Sequence, residues 1–293
     1  MLSRADTMIR NAVPADHAAL LALWQANAPR QGYASRPDAE VDRLLFRHPY
    51  FSYEYTFVRA EQGRAVAFIC GCVGNDIPHG RERGCFTCLA ADPAWDTPET
   101  TVQLLDALEE AFRVAGKTAS AVTFFNPMHL PWVIPGSPGH EHNNMPGVAT
   151  DLPLHERMLA HGYTETTQET AMYRTLTNFA IPPEVRALEH RTAAARDGLC
   201  LPVALAGNTV AGFAGPVYPE PTGRGWFAGI GIAPQYQHRH LGKLLFFRLC
   251  AEEKRAGAVY MSLFTGVANP ARRIYESAGF TSVRTFGVLL KTL

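Results

Sequence analysis

The pattern that most constrains this chain lies in its C-terminal third, over residues 229–280. A short apolar run ends at Pro234, a basic turn follows, and the apolar spacing then predicts a helix through about Arg255. A second strand and a second helix are predicted next, and that helix ends at Gly279 and Phe280. The start of a helix carries four unpaired backbone N–H groups and a partial positive charge. The turn that opens the first helix therefore predicts a pyrophosphate ligand.

Two motifs in this region resemble those of the GNAT superfamily of acyl-CoA-dependent N-acetyltransferases. The first family pattern, Gln/Arg-x-x-Gly-x-Gly/Ala after a proline, fits the turn because Gln237 and Gly242 fall in register. His240 departs from it, since it occupies the first glycine position and costs about 1 kcal/mol if φ must be positive there. The second pattern, Asn-x-x-Ala-x-x-x-Tyr-Glu-x-x-Gly-Phe, has Ala268 at its asparagine position, with Asn269 one place later. Its other positions are matched by Ala271, Tyr275, Glu276, Gly279 and Phe280.

The same order of elements occurs in both halves of the chain. Each half has a strand, a proline, a helix, a strand, a helix and a glycine followed by an aromatic residue, so we infer a duplicated architecture. The resemblance implies an α/β fold of two tandem GNAT-like domains, each a twisted mixed β-sheet flanked by helices. The predicted domains are residues 8–176 and residues 177–293. The joint is expected near residues 177–183, where Pro182 and Pro183 start a helix predicted to run to about Arg196.

The first copy differs at the turn that should hold the pyrophosphate. Residues 93–100 contain no glycine and no basic residue, but they contain the acids Asp96 and Glu99. They also contain Pro98, which has no N–H group to donate. Acids stabilise a helix N-terminus but repel a pyrophosphate at the same place. We therefore expect a degenerate first copy with a structural or substrate-shaping role, and catalysis in the second copy.

The resemblance also assigns residues to the cosubstrate that it implies, acetyl-CoA. The backbone N–H of Ile232 is the expected oxyanion donor, and Tyr275 takes the place of the family's proton donor to the leaving thiolate. A phenol with a pKa near 10 can protonate such a thiolate at small cost. The alternative is that Tyr275 is only a half-buried aromatic of an amphipathic helix. The expected cofactor-binding residues are Ile230, Ile232, Gln237, His238, Arg239, His240, Gly242, Lys243, Asn269 and Arg272, with Arg273 as the alternative to Arg272.

The base that accepts the amine proton is less well defined. No carboxylate lies on the strand before the turn, and Glu220, in a neighbouring loop, is the candidate. The alternatives are that Glu220 is a solvated loop acid and that water removes the proton. A loop over residues 126–150 holds His140 and His142 among prolines and glycines. We interpret it as an acceptor-binding lid without metal, the alternative being a polar surface connection.

Composition limits the classes of partner. The chain has 293 residues, and its 27 basic and 27 acidic residues give a formal net charge of +0, which argues against nucleic acid and anionic membranes. No apolar run reaches the length that spans a bilayer, so we expect a cytoplasmic protein. The strand positions of four cysteines favour buried reduced thiols over a zinc site, and we expect no metal cofactor. These cysteines are Cys70, Cys72, Cys85 and Cys88.

Together these features predict an acetyl-CoA-dependent N-acetyltransferase in which a primary amine attacks the thioester directly. Cys250 falls in the middle of a predicted helix, so it is not placed to act as a nucleophile. The expected acceptor is a small-molecule amine, with a protein N-terminus or lysine as the alternative, and the expected state is a monomer or homodimer. One rival is a non-catalytic CoA-binding sensor or scaffold, suggested by His240 and Ala268. A second is a metal- or redox-responsive protein that uses the cysteine cluster.

Overall fold

The computed structural model describes residues 7–186, 204–205 and 209–293. The chain divides into two compact units, each assembled from separate segments. Unit 1 contains the described part of residues 1–133, together with 143–169 and 285–293. Unit 2 contains 134–142 and the described part of 170–284. The units therefore differ from the predicted continuous domains 8–176 and 177–293, because 134–142 belongs to unit 2 and the last nine residues belong to unit 1.

The regular elements alternate between strands and helices along the chain. The strands are β1 (Thr7–Asn11), β2 (Thr56–Glu61), β3 (Arg64–Cys72), β4 (Arg83–Ala91), β5 (Ala119–Val122), β6 (Trp132–Val133), β7 (Glu141–His142), β8 (Val148–Ala149), β9 (Thr164–Thr175), β10 (Ala204–Leu205), β11 (Thr209–Val210), β12 (Gly212–Gly215), β13 (Tyr218–Pro219), β14 (Arg224–Trp226), β15 (Gly229–Ile232), β16 (Tyr260–Gly266) and β17 (Thr281–Thr292). The α-helices are α1 (His17–Gln31), α2 (Asp38–Val41), α3 (Pro98–Val114), α4 (Pro153–Ala160), α5 (Pro183–Arg186), α6 (Leu241–Arg255) and α7 (Arg272–Ser277).

Unit 1 is a mixed sheet with helices on both faces. Strands β1 to β4 pair antiparallel in chain order, β4 pairs parallel with β5, and the unit 1 part of β17 pairs with β5. Successive side chains of β3 face opposite sides, as the pleat requires. Phe68 and Cys70 pack in the core under α1 and α2, whereas Ala67 and Ile69 pack in the core under α3 and α4. The three layers bury an apolar core on each side of the sheet.

Unit 2 is built on a second set of paired strands. The unit 2 part of β9 lies beside β16, and the order continues through β14 to β13, while β12 and β15 form an antiparallel pair. Helices α6 and α7 pack against this framework. Their core includes Leu244 and Phe246 of α6, Tyr275 of α7, and Met261 and Leu263 of β16. The predicted mixed sheet flanked by helices is therefore confirmed.

The main helix of the C-terminal motif is also confirmed. Helix α6 runs from Leu241 to Arg255, and α7 is shorter than the pattern indicated. From the sequence we also predict one strand over residues 226–232 before the turn, and this is wrong, because the chain breaks into β14 and β15 between Trp226 and Gly229. The helix predicted from Pro183 is described to Arg186. Its predicted continuation and Cys200 lie outside the described residues.

The four cysteines of unit 1 lie on two neighbouring strands. Cys70 is opposite Cys88, and Cys72 is opposite Cys85, in the ladder of β3 and β4. All four are free thiols with at most 2% of their surface exposed, which confirms the expectation of buried reduced thiols. Across the described ranges, no helix is both long and apolar enough to cross a membrane.

Candidate functional site

The strands of unit 2 separate at one point, and the separation leaves a backbone edge unpaired. Strand β14 pairs parallel with β16 at Arg224 and Gly225. Three residues later the chain has moved to a different neighbour, because β15 pairs antiparallel with β12. Within the described residues β15 has no other strand partner. Its second edge is therefore open to a ligand, much as a sheet edge is open to an added strand.

The hydrogen-bond register shows which backbone groups face this open edge. Ala233 donates its N–H to the Ala211 carbonyl at 2.8 Å, in the same register as the pairing of β12 with β15. Bonded and non-bonded positions alternate along an antiparallel strand. The N–H groups of Ile232 and Ile230 therefore point away from β12 and toward the open edge. This is the orientation that the predicted oxyanion donor, Ile232, requires.

A cavity of about 820 Å³ lies beside this edge, and we call it the α6 cavity. Its walls come from β15, the turn before α6, the first turn of α6, and α7 with the residues before it. The lining residues are Ile230, Gly231, Ile232, Tyr236, Gln237, His238, His240, Leu241, Gly242, Lys243, Asn269, Pro270, Ala271, Arg273, Ile274, Tyr275 and Ser277. The described lining includes two cations and two histidines but no carboxylate, so its charge suits a polyanion.

The first turn of α6 points unpaired donors at the α6 cavity. The N-cap residue His240 has φ 60° and ψ 9°, and no side chain caps the helix. The first intrahelical bond at this end runs from the Leu244 N–H to the His240 carbonyl at 3.1 Å. The N–H groups of Leu241, Gly242 and Lys243 come before it, so they have no partner within the helix. This arrangement has the unpaired N–H donors that the predicted pyrophosphate site requires.

Two histidines of the turn have left-handed backbone conformations. His238 and His240 both have φ of 60°, a region that costs a residue with a Cβ about 1 kcal/mol. His240 occupies the glycine position of the family motif, so the strain expected for a positive φ at that position is present. Gly242 has a different reason to be a glycine. A Cβ there would lie 3.2 Å from Ile274 Cδ1, so its absence allows α6 and α7 to approach.

Tyr275 lies in the wall of the α6 cavity with its ring largely buried. Only 6% of its surface is exposed, and the ring packs edge-on against Phe246 at a centroid distance of 4.7 Å. Burial raises the pKa of the phenol, so the hydroxyl holds its proton at neutral pH. Among the described residues its hydroxyl has no hydrogen-bond partner. A protonated hydroxyl without a partner at a cavity wall can donate its proton to a ligand.

The other predicted cofactor residues divide into two groups. Gln237 lines the α6 cavity and donates its amide to the Ile232 carbonyl at 3.0 Å. Asn269 also lines the cavity, and its Oδ1 accepts the Ala271 N–H at 2.9 Å. Arg272 does not line the cavity, because its guanidinium pairs with Glu276 one helical turn away, and Arg273 lines it instead. Arg239 also lies outside the lining, with its guanidinium 5.7 Å from the centre of the Tyr236 ring.

The predicted base, Glu220, has a different role in the structure. Its two oxygens accept hydrogen bonds from the Arg224 guanidinium at 2.7 and 2.8 Å, and Arg224 is only 1% exposed. The opposite side of that guanidinium contacts His142 Nδ1 at 2.7 Å. Both oxygens of Glu220 are thus occupied by Arg224, and Glu220 does not line the α6 cavity. Glu220 therefore does not lie where a proton acceptor of this cavity would be needed.

The predicted lid contributes residues 134–142 to unit 2. The His140 ring stacks on the Tyr260 ring at 3.9 Å, and its Nδ1 lies 2.6 Å from the Tyr173 hydroxyl. The Tyr260 hydroxyl donates to the Glu141 carbonyl at 2.9 Å. Burial lowers the pKa of His142, and Arg224 lowers it further, so His142 is neutral in the folded protein. This segment is ordered by specific contacts, and no periodicity in the sequence indicates them.

Glu253 of α6 is a buried carboxylate, and its titration gives a prediction about stability. It has no exposed surface, and its Oε2 has no hydrogen-bond partner among the described atoms. Its Oε1 accepts the Tyr218 N–H at 2.9 Å. Burial is the main cause that raises the pKa of this carboxyl from 4.5 to about 7. The folded state therefore holds the proton more tightly than the unfolded state does.

As the pH rises, the Glu253→Gln variant should become more stable than the parent protein at the same pH. In the parent the contribution of Glu253 to the free energy of unfolding is fully present below pH 4.5 and is lost as the pH rises through about 7, because the folded state must then bury a charge. The loss is on the order of 3 kcal/mol, from 1.36 kcal/mol per pKa unit. Glu253→Gln keeps the acceptor for Tyr218 and removes the titration. Urea unfolding from pH 4.5 to 8 checks this, and parallel pH profiles for the two proteins would contradict it.

In unit 1, the strand edge that corresponds to the open edge of β15 belongs to β4, and side chains of unit 1 bind to it. Strands β4 and β5 pair parallel only over residues 83–85 and 119–121, so β4 has a free edge beyond that point. Asn126 donates its amide to the Phe86 carbonyl at 2.9 Å, and Gln31 donates to the Leu89 carbonyl at 2.8 Å. The cavities that remain there, of about 50 Å³ and about 220 Å³, are smaller than the α6 cavity. Thr97 also caps the first turn of α3 by accepting the Thr100 N–H at 3.2 Å.

Comparison with known proteins agrees with this geometry. Residues 165–280 match the family model described as the Acetyltransferase (GNAT) family. A search of curated proteins gives no match. Among solved structures, a GCN5-related glucosamine N-acetyltransferase region of a fungal multi-domain GH3 β-N-acetylglucosaminidase has a TM-score of 0.68 at 13% identity. The match covers 99% of this chain and 38% of that chain.

Two further structures match over nearly their whole length. A GCN5-related N-acetyltransferase from Sphaerobacter thermophilus has a TM-score of 0.60 at 16% identity, over 98% of this chain and 95% of that chain. A tandem GNAT protein from the clavulanic acid biosynthesis pathway has a TM-score of 0.56 at 13% identity, over 98% of each chain. Identities this low establish the fold and not the substrate. Residues 165–280 therefore match the acetyltransferase (GNAT) family model, and the fold of the chain is similar to that of solved GNAT structures.

Proposed function

We propose that this chain is an acetyl-CoA-dependent N-acetyltransferase and that unit 2 transfers the acetyl group to a primary amine of a small molecule. One observation carries the proposal: the α6 cavity brings together an open backbone edge, an uncapped helix N-terminus and an unpaired phenol. The edge is β15, the helix is α6 and the phenol is Tyr275. These are the three groups that an acyl thioester with a diphosphate arm requires.

Each part of the cosubstrate has a matching part of the site. The N–H groups of Leu241, Gly242 and Lys243 would hold the diphosphate, and the Lys243 ammonium would add a positive charge. The open edge of β15 would hold the amide-bearing thiol arm by backbone hydrogen bonds. Arg273, which lines the cavity, would pair with a further phosphate.

The transfer itself needs few groups from the protein. Acetyl-CoA would supply an activated acetyl carbonyl, which a neutral amine nitrogen attacks while the carbon–sulfur bond breaks. The Ile232 N–H would donate to the carbonyl oxygen as negative charge develops there. Tyr275 would give its proton to the departing sulfur. Water would take the proton lost by the amine nitrogen, since no carboxylate lines the described cavity, and would return one to Tyr275.

The shape of β15 supports a small acceptor. Ile230 and Ile232 pack toward the unit 2 core, so Gly229 and Gly231 leave the opposite face of the strand without side chains. The Phe213 ring lies over that face, 3.2 Å from where a Cβ of Gly231 would be. An acceptor amine would approach the glycine backbone beside the Phe213 ring, which limits the space to a small molecule. The fungal structure is named for glucosamine, so amino sugars belong among the acceptors tested.

A second candidate function is a CoA-binding sensor without turnover. The observation that favours it is the strained His240 at the position where the family pattern has glycine. The two functions differ in one measurable quantity, because a sensor binds the thioester and does not consume it.

The test is release of CoA thiol from acetyl-CoA in the presence of single amines. The panel should contain amino sugars, aliphatic and aromatic amines, and peptides with a free N-terminus or lysine. We expect release that depends on one class of small amine, with the acetylated amine identified by mass. Tight binding of acetyl-CoA with no release on any member would contradict an enzyme and favour the sensor. Release with peptides alone would contradict the small-molecule acceptor.

A further inference from the structure

Unit 1 contains a cluster of three metal-ligand side chains that the acetyl transfer does not use. Asp106 and Glu109 lie three residues apart on α3, and His161 comes directly after α4. His161 Nε2 lies 3.3 Å from Asp106 Oδ1 and 3.3 Å from Glu109 Oε1. One ligand atom from each residue can be chosen so that all three lie within 4.8 Å of one another.

Two atoms of this cluster are buried without a hydrogen-bond partner. The Glu109 side chain is 1% exposed, and its Oε1 has no partner among the described atoms. His161 is 10% exposed at its side chain, and its Nε2 also has no partner within the described part of the chain. The two atoms face each other at 3.3 Å, but their alignment is too poor for a hydrogen bond. Unpaired buried polar atoms are costly, so their shared position needs an explanation.

The spacing matches the coordination sphere of a tetrahedral metal ion. Bonds of about 2.1 Å from zinc to imidazole nitrogen or carboxylate oxygen place neighbouring ligands about 3.4 Å apart. Both distances from His161 Nε2 are close to that value. Asp106 is 63% exposed, so the cluster has a solvent-facing side where an ion can enter and a water can complete the sphere. An imidazole with two carboxylates is a ligand set that zinc accepts.

A neighbouring lysine sets the orientation of the buried carboxylate. Lys291 Nζ lies 2.7 Å from Glu109 Oε2 and holds that oxygen, which leaves Oε1 for the cluster. With a neutral His161, the two carboxylates and one ammonium carry a net charge of −1. A divalent cation would be attracted to this cluster, and the ammonium would weaken that attraction.

We propose that Asp106, Glu109 and His161 form a binding site for one zinc-class divalent ion in unit 1. The ion would link α3 to the segment after α4 and would pair both orphaned atoms. Its role is structural, since all three ligands belong to unit 1 and none lines the α6 cavity. The inference is independent of the proposed acetyl transfer.

The test uses the full chain, stripped of metal and titrated with zinc by calorimetry, with cobalt(II) absorption as a readout of tetrahedral geometry. We expect one equivalent to bind and His161→Gln to weaken binding at least about 10-fold. His155→Gln is the matched control. His155 is equally buried in unit 1 at 10% side-chain exposure, but it already makes a 2.8 Å hydrogen bond to Glu165.

A further variant separates a metal site from a simple ion-pair network. Lys291→Met should tighten zinc binding, because it removes the competing positive charge. If the cluster is only an ion-pair network, Lys291→Met should lower the stability of the protein and have no effect on zinc binding. Failure of the parent chain to bind zinc would overturn the proposal. So would equal zinc affinities for the parent and the His161 and His155 variants.

Discussion

Replacing Tyr275 by phenylalanine should lower kcat about 100-fold while leaving the dissociation constant of CoA unchanged. The hydroxyl is the only part of the side chain that changes, and it is unpaired in the described structure. A positioned proton donor contributes about 10²- to 10⁴-fold to a rate. The ring, which packs against Phe246, remains in place and preserves the cavity wall. Steady-state kinetics with the best acceptor and calorimetry with CoA measure the two quantities.

A second tyrosine of the same cavity provides the control for this variant. Tyr236 also lines the α6 cavity, so Tyr236→Phe removes a hydroxyl from the same space. We expect it to change kcat less than about 3-fold, because no role in proton transfer is assigned to it. Equal losses in the two variants would show that the effect is general to the cavity. A Tyr275→Phe enzyme with normal kcat would remove Tyr275 from the mechanism.

Reversing the charge of Lys243 should raise the dissociation constant of acetyl-CoA about 10- to 100-fold. Lys243→Glu replaces a cation with an anion at the uncapped start of α6, where the diphosphate is proposed to bind. The change corresponds to about 1.4–2.7 kcal/mol of binding free energy. Lys243→Glu also places an acid in the first turn of α6, as Glu99 does in the first turn of α3. That acidic turn is the reason why we expect unit 1 not to bind the cofactor. Binding is measured by calorimetry at low and high salt, and the difference should shrink as salt rises.

The control for Lys243→Glu is the same charge reversal at the other end of the helix. Arg255 is the last residue of α6, and its side chain is 77% exposed. A helix of 15 residues is about 20 Å long, more than a Debye length at physiological salt. Arg255→Glu should therefore leave CoA affinity unchanged. Equal effects of the two reversals would indicate a nonspecific charge effect and would contradict the assigned diphosphate site.

Much of the lining of the α6 cavity was predictable because it depends on local sequence. A proline, a basic turn and an apolar-periodic stretch specify where α6 begins, and the structure starts it at Leu241. The positive φ of His240 follows from its place in the motif, because the backbone shape of that turn does not depend on the side chain. Tyr275 was placed by its motif, which is also local. Each of these inferences concerns residues close together in the chain.

The parts that could not be predicted depend on contacts between residues distant in sequence. The break between β14 and β15 arises because the first stretch pairs with β16 and the next stretch pairs with β12. Arg224 is buried partly by His142, which contacts its guanidinium at 2.7 Å and lies 82 residues away in the chain. Similarly, Asn126 satisfies a β4 carbonyl 40 residues earlier in the chain. No periodicity or composition carries such information, because it arises only when the fold is complete.

The central claim is that the diphosphate binds the start of α6 and the thiol arm binds the open edge of β15. A crystal structure of the chain with bound acetyl-CoA tests it most directly. We predict diphosphate oxygens within hydrogen-bonding distance of the Leu241, Gly242 and Lys243 N–H groups, and the thioester beside Ile232 and Tyr275. Acetyl-CoA bound in unit 1, or bound in unit 2 away from residues 230–243, would contradict the account.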